Sequence, residues 1–117
     1  MSVNLATRQI GDVTLVDVVG RITLGESSKA LRDTIRDLIG KNQNKVLLSL
    51  TEVTYIDSAG IGELVYTYST VTNGGGRLIL LNPSKRVRDL LLLTKLYSVF
   101  EVQEDEAAAI RSFSSKA

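Results

Sequence analysis

The sequence predicts an α/β fold: one small domain over residues 1–117 with a mixed, mostly parallel sheet of four to five strands and about four helices. Three observations carry that prediction. Short apolar runs rich in Val, Ile and Leu alternate along the chain with amphipathic stretches of helical length, the pattern of strand–helix–strand units. Glycine, asparagine or a lone proline falls between one stretch and the next, where turns belong. The chain has 117 residues, 44% of them apolar, which suits a single hydrophobic core.

The elements follow in order. Residues 3–9 alternate loosely and predict a half-exposed edge strand, closed by a Gly11-Asp12 hairpin turn. Val13–Val19 is β-branched with apolar side chains on both faces, as in a strand covered on both sides. Gly20 and Gly25 bracket an expected loop, Arg21–Leu24, and Ser27 or Ser28 is expected to cap the first helix. Ala30, Leu31, Ile35, Leu38 and Ile39 share one face of that helix, opposite Lys29, Arg32, Asp33, Arg36 and Asp37, and Gly40 is the expected residue just past its end. Val46–Leu50 predicts a buried strand. Three glycines, Gly74–Gly76, end the next helix; no Gly-Lys-Ser/Thr follows them and they precede a strand, which excludes a phosphate loop. Leu78–Leu81 is the next strand, stopped by Asn82-Pro83, with Ser84 as helix cap. Val87, Leu90, Leu91 and Thr94 share a face, and Leu92 and Leu93 widen the apolar surface beyond what one face buries. The cluster Lys85-Arg86-Val87-Arg88 reads as a solvated helix face, with an acidic partner as the minority reading. Val99–Val102 predicts a short strand, Glu104-Asp105-Glu106 the acidic start of a last helix, and Ser112–Ala117 a fraying tail.

Composition narrows function by exclusion. There is no cysteine and no histidine, which removes disulfides, thiol chemistry, Ser-His-Asp catalysis and the usual zinc sites. No catalytic residue, metal or cofactor is expected. A net charge of +1 argues against nucleic acid as the main ligand. No apolar run approaches the roughly 20 residues of a membrane span. Met1-Ser2-Val3-Asn4 has neither the basic nor the apolar region of a signal peptide, so a cytoplasmic protein with no membrane partner is expected.

The most informative stretch is Tyr55-Ile56-Asp57-Ser58-Ala59-Gly60-Ile61-Gly62-Glu63-Leu64, between the strand at Val46–Leu50 and an amphipathic helix carrying Ile61, Leu64, Val65, Tyr68 and Thr72. Asp57 or Ser58 can accept hydrogen bonds from the free N–H groups of the first turn. Two glycines each cost about 1 kcal/mol relative to alanine in a helix. They leave the first turn bare beside a hydroxyl, open to the approach of another molecule.

Asp57-Ser58-Ala59-Gly60-Ile61-Gly62 resembles the Asp-Ser-Ser/Ala-Gly-Leu/Ile-Gly signature of STAS domains, the family of sulfate transporters and anti-sigma factor antagonists. The order of elements is similar to the family's from about Leu5 to Ile110, and Val87–Phe100 resembles its second characteristic stretch, a helix running into a leucine and a terminal aromatic. The chain departs at three places. Thr23 stands where antagonists commonly carry an acid, Ala59 where many have a second serine, and Lys95 where glycine often ends the helix, predicting a different cap.

The resemblance implies a bacterial, stand-alone anti-sigma factor antagonist rather than an enzyme. Its partners would be an anti-sigma factor that is also a serine kinase, and a serine phosphatase. Ser58 would be the phosphorylation switch. The implied contact surface is Asp57, Ser58, Ala59, Gly60, Gly62, Glu63 and Tyr66, with Thr67 one turn on and Thr23 in the adjoining loop. A STAS accessory subunit of a transporter or signalling scaffold is the alternative. An enzyme or nucleotide hydrolase ranks last, lacking histidine, cysteine and a phosphate loop.

Overall fold

The chain enters through a hairpin. β1 (Val3–Ile10) and β2 (Val13–Ile22) pair antiparallel from Val3 opposite Gly20 to Ile10 opposite Val13, turning at Gly11-Asp12 with Gly11 at φ 62°. That φ is left-handed, where glycine meets no steric penalty. Every later pairing is parallel: β2 with β3 (Lys45–Ile56), β3 with β4 (Arg77–Leu81), and β4 with β5 (Glu101–Gln103), giving the sheet order β1-β2-β3-β4-β5. The helices between them are α1 (Glu26–Gly40), α2 (Ser58–Asn73) and α3 (Lys85–Leu93), with α4 (Glu106–Ser114) last. The computed structural model describes residues 3–114. Residues 115–117 of the expected tail, and Met1 and Ser2 of the expected leaderless start, lie outside it, while α4 takes up residues as far as Ser114.

One face of the sheet is covered by α1, α2 and α3 and part of the other by α4, which explains the continuous apolar runs. Val16, Val18, Ile22, Val46, Leu48, Leu50, Ile56, Leu78 and Leu80 meet Leu31, Ile35, Leu38, Ile61, Leu64, Val71, Val87 and Leu91 from the first three helices. Val13, Leu15, Leu47, Ile79 and Leu81 meet Ala109 and Phe113 of α4. Each fully buried aliphatic side chain contributes about 1.5–3 kcal/mol.

Several boundaries differ from the sequence expectation. β2 takes in the first half of the expected loop, as far as Ile22, because β3 is longer than its apolar run and pairs Arg21 with Tyr55 and Ile22 with Ile56, while Thr23 and Leu24 remain loop. α1 starts at Glu26 behind Gly25, so Ser27 and Ser28 are not caps; both are buried, Ser27 Oγ accepting from the Thr23 N–H (2.8 Å) and Ser28 donating to the Gly25 carbonyl (3.2 Å). Ser84 caps α3 as expected, accepting from Val87 N–H. The expected strand over Val99–Val102 divides into a 3-10 turn, Tyr97–Val99, and β5.

The helix ends share one device. After α1, α2 and α3 the residues Asn42 (φ 61°), Gly75 (φ 79°) and Lys95 (φ 63°) are left-handed. In each case that residue's N–H and the next one reach back to the last turn: Asn42 to Ile39 and Gln43 to Leu38, Gly75 to Thr72 and Gly76 to Val71, Lys95 to Leu92 and Leu96 to Leu91. These are Schellman caps. Gly40 lies inside α1 rather than past it, and Lys95 adopts the left-handed cap instead of a different one.

Candidate functional site at the start of α2

β3 delivers the chain to Asp57, which is extended (φ −110°, ψ −175°) and is the N-cap of α2. One carboxylate oxygen accepts from the Gly60 N–H at 2.8 Å and the other from the Leu24 N–H at 3.4 Å. Its own N–H donates to the Ile22 carbonyl (3.4 Å) and its carbonyl accepts from Ile61 N–H (2.9 Å). One aspartate therefore joins the end of β2, the β2–α1 loop and the first turn of α2.

Because Asp57 supplies the cap, Ser58 does not. Ser58 is the first helical residue and is exposed, and its hydroxyl makes no hydrogen bond among the described residues. Ala59 beside it is half-buried and Gly62 is exposed with open space around its Cα.

Gly60 has a different role from the one its spacing suggested. It is buried, and a Cβ there would stand 2.2 Å from the Ile22 carbonyl oxygen and 2.7 Å from Ile56 Cγ1. The glycine lets α2 lie against the ends of β2 and β3; it is a packing contact and not open surface. Glu63 and Thr67 are likewise interior, at 6% and 0% exposure. Thr67 donates to the Glu63 carbonyl. Glu63 receives Arg32 of α1 through two hydrogen bonds, 2.9 and 3.3 Å, in the bidentate geometry favoured by guanidinium and carboxylate. That hydrogen bond first, and the carboxylate's charge second, raise the Arg32 pKa above its ordinary value. The Arg32 guanidinium also sits 5.7 Å from the centre of the Tyr66 ring, and Tyr66 is 40% exposed. Thr23 is half-buried, its hydroxyl 3.4 Å from Ser27 Oγ.

The structure thus gathers Asp57, Ser58, Ala59, Gly62 and Thr23 at one end of the sheet, leaves Tyr66 exposed two turns further along α2, and withdraws Gly60, Glu63 and Thr67 into the interior. Sequence reasoning missed Arg32, placed on a solvent face, and the Leu24 N–H. Their partners lie 31 and 33 residues away, with no local pattern to announce the pairing. Chemically the site offers a free hydroxyl and a carboxylate already engaged by two N–H groups. Among the described residues no group of three or more His, Cys, Asp or Glu is placed to hold a metal ion, and no helix is long and apolar enough to cross a membrane.

The family model for the STAS domain matches residues 4–109. A relative from Thermotoga neapolitana, provisionally named an anti-sigma factor antagonist, is 31% identical over 63% of this chain and 66% of its own. The anti-sigma-B factor antagonist of Bacillus subtilis is 27% identical over 95% of this chain and its full length. Among solved structures, the anti-sigma factor antagonist SpoIIAA in its unphosphorylated form has a TM-score of 0.75 at 17% identity, covering 97% of this chain and 100% of that one. The phosphorylated form of the same Bacillus cell-fate determinant gives 0.70 at 20%, covering 94% and 98%.

Proposed function

Since this chain belongs to the STAS domain family, we propose that it is an anti-sigma factor antagonist, a binding module that docks an anti-sigma factor at the start of α2 and is released when Ser58 is phosphorylated. A partner with serine kinase activity would place the phosphate and a serine phosphatase would remove it. One observation carries the reading: Asp57 takes over the capping role and leaves the Ser58 hydroxyl exposed and unbonded. Curated relatives bearing the antagonist name support the partner class.

The energetics favour a block at the interface over a change of shape. Phosphorylation adds about −1.5 to −2 charges. A helix N-terminus stabilises negative charge by ~0.3–1 kcal/mol, offset by repulsion from Asp57. An apolar or acidic partner surface would instead meet an uncompensated dianion, and about 4 kcal/mol already lowers affinity a thousandfold. SpoIIAA has a fold like this one in both its unphosphorylated and phosphorylated forms, in keeping with a switch that leaves the fold alone.

A pull-down from lysate with wild type, Ser58→Ala and Ser58→Asp as baits tests the proposal. Wild type and alanine should capture an ATP-binding kinase-fold protein that aspartate does not. Capture of one transporter component by all three would replace the antagonist reading with the transporter one.

A further inference from the structure

Two arginines on either side of Tyr55 have no carboxylate partner among the described residues. Arg21, the next-to-last residue of β2, and Arg86, in the first turn of α3, hold their guanidinium carbons 4.6 and 4.5 Å from the centre of the Tyr55 ring. Both side chains belong to exposed residues, and among the described residues neither makes an ion pair or a hydrogen bond. Arg8, Arg32, Arg77 and Arg88, by contrast, are each paired with a carboxylate. A guanidinium carries five N–H donors in a planar fork that matches a carboxylate. Tyr55 therefore gathers two such forks with all their donors free.

The position matters as much as the charge. Tyr55 precedes Ser58 by three residues, a span of at most about 10 Å along the backbone. α4 covers Val13, Leu15, Leu47, Ile79 and Leu81 but leaves the far end of that sheet face open, where Val19 is 43% exposed. Of the nearby acids, Asp57 is engaged by two N–H groups and Glu52, across from Val19, forms no ion pair among the described residues. Thr23 contributes no negative charge to this end.

We propose that Arg21, Tyr55 and Arg86 form a clamp for an acidic segment of the partner protein, flanking the Ser58 switch and selecting partners by charge. The clamp rests on the reading that a protein docks at the start of α2. Binding should then weaken with salt, because exposed charges are screened. Aromatic support keeps both guanidiniums in place before the partner arrives.

The test uses the domain alone, so it can fail independently of the Ser58 switch. The arginine Nε–H signals of 15N-labelled protein are followed by NMR while hexaglutamate peptide is added, with inorganic phosphate at matched ionic strength as a second arm. The clamp predicts saturable shifts at Arg21 and Arg86 and none at Arg36 and Arg111. It predicts about twofold to fivefold weaker binding in Arg21→Gln or Arg86→Gln. The shifts should vanish near 1 M salt, where the Debye length is about 3 Å. Equal shifts at Arg36 and Arg111, or an affinity indifferent to both substitutions, overturn it. So does phosphate saturating the two signals while the peptide leaves them unmoved, which would mark a small-anion site.

Discussion

Replacing Gly60 with alanine should destabilise the protein although alanine is the better helix former. The added Cβ would stand 2.2 Å from the Ile22 carbonyl oxygen and 2.7 Å from Ile56 Cγ1. The first neighbour is backbone, fixed by strand pairing to Ile56 and by the Asp57 N–H it accepts, so it cannot swing aside as a side-chain tip would. Overpacking of this kind costs about 1–3 kcal/mol, and a clash with fixed backbone belongs at the upper end. Helix propensity returns about 1 kcal/mol. The net loss is then about 2 kcal/mol, which at an m-value of about 2 kcal/mol/M lowers the urea midpoint by roughly 1 M. Gly62→Ala is the control. It lies two residues further on, exposed, with nothing within 4 Å of its Cβ position, and should raise stability by up to ~1 kcal/mol. Equilibrium urea unfolding of both variants decides the matter. A Gly60→Ala midpoint at or above wild type would refute the claim that glycine is there for close packing.

Other changes test other parts of the account. Asp57→Ala removes the α2 cap and the tie to Leu24, and should cost about 1 kcal/mol in the same unfolding experiment. Lys95→Gly should stabilise by up to ~1 kcal/mol, since a left-handed L-residue costs roughly 1–2 kcal/mol and glycine's greater unfolded freedom takes back part of the gain. The Asp12 pKa lies below its ordinary value because of the hydrogen bond from Lys45 and then its charge. A lowered folded pKa gives stability that is present above the unfolded value of about 4 and lost as pH falls through the folded one. Lys45→Gln should therefore flatten the fall of the urea midpoint below about pH 4, with the Asp33 share, held low by Lys29, remaining.

What could be read in the sequence was whatever is written locally. The runs Val13–Val19 and Leu78–Leu81, the opening hairpin and the Ser84 cap follow from side-chain period and turn chemistry, and all stand in the structure. Leu92 and Leu93, surplus to one helical face, are indeed exposed. The losses were tertiary. β3 outruns its apolar stretch because pairing with β2 carries it to Ile56. Ser27 and Ser28 have the composition of caps, yet packing turns their hydroxyls into the β2–α1 loop. At the candidate site the Asp57-Ser58 pair left the cap undecided, and the Leu24 N–H, 33 residues upstream, helps fix it on the aspartate. Glu63 looked like surface because its partner, Arg32, is on another helix.

The central claim is that phosphate on Ser58 acts at an interface and not on the fold. Its most direct test is calorimetric titration of the partner captured in the pull-down against the domain with Ser58 unmodified and phosphorylated, alongside the urea midpoint of each form. The account predicts affinity lower by about a thousandfold, or ~4 kcal/mol, with midpoints that nearly coincide. Equal affinities, or a phosphorylated domain that loses binding only because it has unfolded, would contradict it.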